Sequence, residues 1–269
     1  MSKLLSIQEQ QKAELEVMKA LHTYCEKHHI RYSLGWGSLL GAIRHKGFIP
    51  WDNDMDIYML REDTERLKKL AKTDPIGPNI KLFDMSSDPN YHYVVLRACN
   101  MDTIARPSYL RKQINNMGLW VDIFPMDGYN KTLYWFQRPI AWFFTKLCYA
   151  TMYRIPTNQK AKRIVQKVIL RFLPNKNHRY ERRLDSISRW FNTKKSKYLI
   201  AIHEDDFKAK ASFPKDDLMH PHLVDFEDAQ FYIMRNAHTH LTNMYGKYME
   251  LPPESDRKTH SINSIRRKN

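Results

Sequence analysis

Three aspartates, Asp52, Asp54 and Asp56, stand at alternate positions in IPWDNDMDIYML, residues 49–60. In an extended chain alternate residues share a face. The three carboxylates then point one way, while Asn53, Met55 and Ile57 point the other. Two unit charges ~4 Å apart repel by about 4 kcal/mol at an effective dielectric of ~20. A fold tolerates that if a divalent cation sits among the carboxylates, or if some of them stay protonated. An all-oxygen donor set suits Mg²⁺ or Mn²⁺ completed by substrate phosphate oxygens. A further acid, Asp122, lies in the apolar stretch GLWVDIFPMDG. It completes the cluster if the two stretches pair as neighbouring strands. The plain structural alternative is an edge strand with an acidic solvent face.

Groups able to bind phosphate precede the acids. A Gly37-Ser38 turn lets the backbone approach a phosphate and donate amide N–H groups to it. Arg44, His45 and Lys46 offer cations; their plain alternative is a solvated basic helix end. His28, His29, His238 and His240 have no spacing partner that suggests zinc and read as surface or core residues.

These residues need a scaffold. Residues 7–28 read as a helix with Leu15, Met18, Leu21, His22 and Cys25 near one face. IRYSLGWG reads as a strand entering a tight glycine-bounded turn. SLLGAIRHKG reads as a helix ended by Gly47, and IPWDNDMDIYML as a strand opened by Pro50. REDTERLKKLAKT reads as a helix; NIKLFDM, YHYVVLRACN and GLWVDIFPMDG read as strands. Three segments are expected: a catalytic core at 1–130, a helical basic and aromatic subdomain at 131–212, and a C-terminal segment at 213–269 that packs back on the core.

The chain has 269 residues and 42% hydrophobic content, enough for a sizeable core rather than disorder. Its first residues lack the apolar run of a signal peptide, and no apolar run reaches membrane-spanning length. Cys25, Cys99 and Cys148 are odd in number and widely spaced, which points away from a disulfide framework and towards a reducing cytoplasm. Of the net charge of +15, +12 lies between Arg154 and Lys197. Within that segment Ala161, Ile164, Val165, Val168, Ile169 and Phe172 recur at helical spacing, which makes a basic amphipathic helix. It follows the aromatic stretch LYWFQRPIAWFFTKLCYATMYRIP. Such a helix suits an anionic membrane surface; alternatively its apolar face packs on the core and its cations are simply solvated. Nucleic acid is not the expected partner, because no RNA-binding signature accompanies the charge.

GSLLGAIRHKGFIPWDNDMDI, GLWVDIFPMDG and NMYGKYMELPPESDRKTH together resemble, in order, the motifs of the LicD family, across residues 34–260. That family transfers phosphocholine from CDP-choline to cell-surface glycans such as teichoic acid, lipopolysaccharide or capsule, and it includes the fukutin-related ribitol-phosphate transferases. It is similar in turn to the nucleotidyltransferase superfamily. The resemblance implies an α+β fold: a nucleotidyltransferase-like mixed sheet flanked by helices, with the basic and aromatic segment as a helical insert. It implies a metal-dependent phosphotransferase using Mg²⁺ or Mn²⁺, with Asp54, Asp56 and Asp122 as catalytic metal ligands. The longer gap between Ser38 and Asp54 leaves open whether Asp52 is also a ligand. Asn53 stands where the family commonly has Asp. Gly37, Ser38, Arg44, His45, Lys46 and Arg97 would serve the phosphates. Trp36, Trp51, Tyr58 and Trp120 are candidates for a cation–π cage around choline, with core packing as the alternative for each. Arg257 and His260 belong to the closing motif and would contact nucleotide or acceptor. The acceptor would be a lipid-linked or surface glycan, met in the cytoplasm at the inner face of the membrane. Transfer of another phospho-alcohol, nucleotidyl transfer by the same fold, and a non-catalytic glycan binder remain as alternatives; the intact acids speak against the last.

Overall fold

The structure is a computed structural model that describes residues 4–191, 193–204 and 208–266. The chain runs α1 (Ile7–Lys27), β1 (Tyr32–Leu34), α2 (Trp36–His45), β2 (Met55–Leu60), α3 (Arg61–Leu70), β3 (Ile80–Phe83), β4 (Leu96–Asn100), β5 (Thr103–Pro107) and β6 (Leu119–Tyr129). It continues through α4 (Tyr134–Met152), α5 (Lys160–Phe172), α6 (Arg179–Ser188), β7 (Tyr198–Ile200), β8 (Phe213–Pro214) and α7 (Lys215–Met219). It closes with β9 (His222–Phe226), β10 (Ala229–Ile233), α8 (Ala237–Tyr245) and β11 (Ile262–Arg266).

β2 and β6 lie side by side and parallel, with Asp56 level with Asp122. The expected pairing of the two acid-bearing strands is therefore present. β1 adds antiparallel to the outer side of β2. Eleven-residue β6 pairs with β4 along its first half and β7 along its second, both antiparallel. β3 extends the sheet beyond β4 and β8 beyond β7. The result is a curled mixed sheet flanked by helices, an α+β fold. Every residue of β2 is buried, and so is all of β6 except Tyr129. Their alternate aspartates are thus inside the protein and not on a solvent face.

Local chemistry fixes the flanking helices. Ser6 and Glu9 form a reciprocal cap: the Ser6 hydroxyl accepts from the Glu9 N–H, and the Glu9 carboxylate accepts from the Ser6 N–H. Val17, Met18 and Leu21 on α1 are buried, and two polar residues, Gln10 and Glu14, are buried with them.

Four boundaries differ from expectation. The strand opens at Met55, not Pro50. The Asp52 N–H donates to the Ile49 carbonyl, closing a turn with Pro50 at its second position, where the ring's fixed φ favours a turn over a strand. The helix at 36–45 starts two residues earlier than expected, so Gly37 and Ser38 lie in its first turn and not in a preceding loop. It is closed by Lys46 in the left-handed region (φ 56°), not by Gly47. Gly47 serves close packing: a Cβ there would stand 2.1 Å from a Glu227 carboxylate oxygen. A third strand, expected over 91–100, forms only from Leu96.

α4 and α6 pack against each other around Tyr134, Ala141, Leu147, Cys148, Tyr180, Leu184 and Ile187. Arg61, at the start of α3, joins them to the sheet: its guanidinium pairs with Asp127 on β6 and, at 2.9 Å, with Asp185 on α6. Among the described residues no helix is long and apolar enough to cross a membrane.

Candidate functional site

The acids converge where the Pro50 turn enters β2. Asp52 and Asp54 arrive from the turn, Asp56 and Asp122 from the paired strands. One Asp52 oxygen, one Asp54 oxygen and a His260 ring nitrogen lie within 4.8 Å of one another. The His260 Nε2 is 3.3 Å from Asp54 and 3.9 Å from Asp52. A Cβ on Gly37 would stand 2.8 Å from Asp52 Oδ2, so the bare glycine leaves room for that carboxylate. The Ser38 hydroxyl accepts the Asp56 N–H at 2.8 Å and ties α2 to the mouth of β2.

Asn53 points away from the carboxylates, as alternation predicts. Its side chain clamps the chain's far end: Oδ1 accepts the His260 N–H at 2.9 Å, and Nδ2 donates to the His260 carbonyl at 3.1 Å. Nδ2 also donates to Gln10 Oε1 at 2.8 Å. The residue that replaces the expected Asp thus sets the position of His260.

Asp122 is held from two sides. Arg97, paired with it across β4 and β6, donates Nε to Oδ1 at 2.8 Å and Nη2 to Oδ2 at 3.3 Å. The Trp120 indole N–H donates to Oδ2 at 2.7 Å. The guanidinium lies between two rings, 3.8 Å from the Tyr93 centroid and 4.1 Å from that of Trp120.

The electrostatics record a shortage of positive charge. Burial, then the charges of Asp52 and Asp122, pushes the Asp54 carboxyl well above the usual carboxylate range, with Arg97 acting against the shift. Burial, then the charges of Asp54, Asp122 and Asp52, raises Asp56 well above that range too. Asp52 is raised by burial, opposed by its bond to Asp54 and by His260. Glu14 of α1 is buried beside the cluster. Burial, then the charges of Asp54, Asp52 and Asp122, raises it too. Crowded carboxylates that resist ionising fit a divalent cation of the Mg²⁺ or Mn²⁺ type. Asp52, Asp54 and His260 bring one ligand atom each close enough together to share it, and Asp56 follows on the adjoining strand.

A cavity of about 370 Å³ opens on this cluster, within the usual range for a small-ligand site. Asp54, Arg97, Asp122 and His260 line it. Aromatic side chains also line it: Tyr149 of α4, Tyr153 at the C-cap of that helix, and Tyr109 just after β5. These three rings form a chain, with centroids 5.8 Å apart between Tyr109 and Tyr153 and 5.0 Å between Tyr149 and Tyr153. His203 also lines the cavity. It lies nearly parallel to Phe124, and burial lowers its pKa to about 3, so it is a neutral imidazole.

Several expected site residues lie elsewhere. Arg44 donates to the Tyr248 carbonyl at 2.7 Å and to the His45 ring, which fastens the C-terminal segment. His45 meets the Trp51 ring edge to face, and Lys46 is the helix cap. None of the three lines the cavity. The expected choline cage is not assembled. Trp36 and Tyr58 are core residues in mutual edge-to-face contact. Trp51 takes the Arg257 guanidinium at 4.9 Å. Trp120 is spent on Arg97 and Asp122. Side chains close to the acids in sequence turn into the core here, because the Pro50 turn and the start of α2 redirect them.

The reading of the chain missed Glu14, His203 and the three tyrosines. It also missed a buried trio, His92, His178 and Glu181, whose polar atoms lie within 4.8 Å of one another. Glu181 accepts from His92 at 3.1 Å and from the Asn175 amide, so this network fixes the cavity wall to α6. One signal was legible: Gln10 and Glu14 fall in the same helical stripe as Val17, Met18 and Leu21, and an acid in an apolar stripe needs a buried reason.

Residues 29–161 match the model of the LicD/FKTN/FKRP nucleotidyltransferase domain. Over 275 aligned residues, covering 97% of both chains, the sequence is 32% identical to the lipopolysaccharide cholinephosphotransferase LicD of Haemophilus influenzae. It is also 42% identical to an uncharacterized protein of Rickettsia prowazekii over 55 residues, 20% of this chain and 21% of that one. A similar protein of Rickettsia typhi is 42% identical over 67 residues, 24% and 22% of the two chains.

Proposed function

The chain belongs to the LicD family of phosphotransferases, and we propose that it transfers phosphocholine from CDP-choline to a hydroxyl of a cell-surface glycan, lipopolysaccharide before teichoic acid or capsule. The observation that carries this reading is that one cavity of small-molecule size is lined both by carboxylates with Arg97 and by a row of tyrosines. A diphosphate belongs with the first set and a quaternary ammonium with the second. Choline cannot donate an N–H hydrogen bond, and aromatic faces hold it by cation–π attraction of about 0.5–2 kcal/mol per ring. Tyr109, Tyr149 and Tyr153 take the role expected of the tryptophans. A polyol such as ribitol carries no positive charge and would gain no cation–π attraction from the rings, so ribitol-phosphate transfer is the weaker reading.

The acceptor hydroxyl oxygen attacks the phosphorus that bears choline, its proton passes to solvent or to the departing phosphate, the bond from that phosphorus to the bridging oxygen breaks, and CMP leaves with the electron pair. Catalysis is then positioning and charge neutralisation. Mg²⁺ or Mn²⁺ held by Asp52, Asp54 and Asp56 would neutralise the diphosphate and the departing CMP oxygen. Arg97, locked by Asp122 and between two rings, supplies a fixed positive charge on the cavity wall. Both Asp122 oxygens are already bonded, which supports an anchoring role over that of a base. His260 sets the open edge of the carboxylate cluster. His203, neutral and on the wall, can accept a hydrogen bond from a sugar hydroxyl. The core at 1–130, the insert at 131–212 and the returning segment at 213–269 form the working division of labour. The acceptor is a lipid-linked glycan, and the protein meets it peripherally at the cytoplasmic face of the membrane.

The test is ³¹P NMR of the protein with CDP-choline and Mg²⁺ or Mn²⁺, with and without a lipopolysaccharide acceptor. CMP together with a new phosphodiester signal is expected only with acceptor and ion. Nucleotide retained on the acceptor would assign nucleotidyl transfer instead. Turnover of CDP-ribitol without turnover of CDP-choline would overturn the choline assignment.

A further inference from the structure

We propose that α4 and α5 form a docking surface for an anionic lipid bilayer. α5 is amphipathic, yet its apolar side faces solvent: Ile164, Val165, Val168 and Phe172 are 62, 56, 50 and 76% exposed. Its one buried residue is polar. The Gln166 amide donates to the carbonyls of Ala150 and Tyr153, both at 2.8 Å, and so hangs the helix from the end of α4. A surface helix ordinarily does the reverse, with its apolar stripe inward and its polar residues in water. On α4, Trp135, Phe136, Trp142 and Phe143 are also exposed. Two helices that touch each other thus both leave large apolar side chains in water, which monomeric soluble proteins rarely do in such number.

Charge selects the occupant. Lys160, Lys162, Lys167 and Arg171 are exposed on the same helix, within the segment that carries +12. Trp and Phe on the apolar side with Lys and Arg on the polar side match a helix lying in the plane of an anionic interface. A second copy of this chain would bring an equal +12 against the first, so self-association is disfavoured electrostatically. The helix that offers this surface also carries Tyr149 and Tyr153 on the cavity wall. Docking therefore holds the cavity at the lipid surface. The inference stands on the exposed face and its charge, independently of which phospho-alcohol is transferred.

The experiment is co-sedimentation of the full chain with phosphatidylcholine vesicles, with or without about one third phosphatidylglycerol. Binding is expected with the anionic vesicles, falling as salt rises. Ile164→Ser with Val168→Ser and Phe172→Ser should weaken it by about tenfold or more, at unchanged thermal stability and unchanged transfer to a water-soluble acceptor. Lys162→Glu with Lys167→Glu should weaken it comparably. Absence of binding to anionic vesicles would overturn the proposal. So would undiminished binding by the triple-serine variant, or a stable dimer in light scattering that the same three serines dissociate.

Discussion

The sheet core and the helical insert break opposite rules. The core buries charge: Asp56, Asp122 and Glu14 are in the interior, with Arg97 as the cation on Asp122. The insert exposes what is apolar: Trp135, Phe136, Phe172 and their neighbours stand in water. Each departure costs stability taken alone, and each is of the kind that a proposed partner would relieve, a divalent cation with a diphosphate for the acids and a lipid surface for the insert. Proteins break local rules chiefly at functional sites. Here the kind of rule broken names the kind of partner.

The comparison fails first if the acids are not functional. Asp54→Ala should lower transfer on the order of 10³-fold or more, with the fold intact by circular dichroism. A variant that turns over normally would remove the carboxylate cluster from the chemistry. Asn53→Ala comes next. It leaves the His260 backbone unclamped, at a cost of about 1–3 kcal/mol, read as a lower melting temperature and weaker Mn²⁺ affinity. A loss of stability with unchanged ion affinity would make the clamp purely structural. Tyr153→Leu should raise the donor KM about 2- to 30-fold, the range that corresponds to one ring's cation–π contribution, with little change for a CDP-alcohol lacking the ammonium. Equal effects on both donors would assign the tyrosines to packing.

The smallest effect concerns pH. Asp54, Asp56 and Glu14 have native pKa values raised above their unfolded ones. The folded state therefore binds more protons, and the associated stability is fully present below the ordinary carboxylate value of ~4 and lost as pH rises through the raised values. In chelator the melting temperature should fall as pH rises above the ordinary carboxylate value of ~4, by about 2–4 °C for each kcal/mol lost. Asp54→Asn should flatten that slope, and Mg²⁺ or Mn²⁺ should restore the wild type. A slope indifferent to both would show that the cluster is not short of cations.

What the chain disclosed followed the range of its forces. The alternation of Asp54, Met55, Asp56 and Ile57 is local, and so is the apolar setting of Asp122; both strands could be read, and their pairing followed from placing acids together. The α5 stripe was equally plain, but periodicity says only that a helix has two sides, not which side the protein covers. The cage was misplaced for a related reason. Trp36, Trp51 and Tyr58 are near the aspartates along the chain, whereas the tyrosines that line the cavity come from residues 109, 149 and 153, brought across by the docking of α4. That docking rests on Arg61 with Asp127 and Asp185, and on His92 with Glu181. Contacts of such long sequence separation leave no local trace.

The Asn53 clamp has a consequence in time. It joins residues 207 positions apart. At ~5–20 residues per second, a ribosome completes Asp52–Asp56 about 10–40 s before it delivers His260. During that interval the nascent chain carries the aspartates without the imidazole that borders them, and β5 waits for its partner β11, which follows immediately after His260. The carboxylate cluster is therefore completed only once the segment that bears His260 has been made.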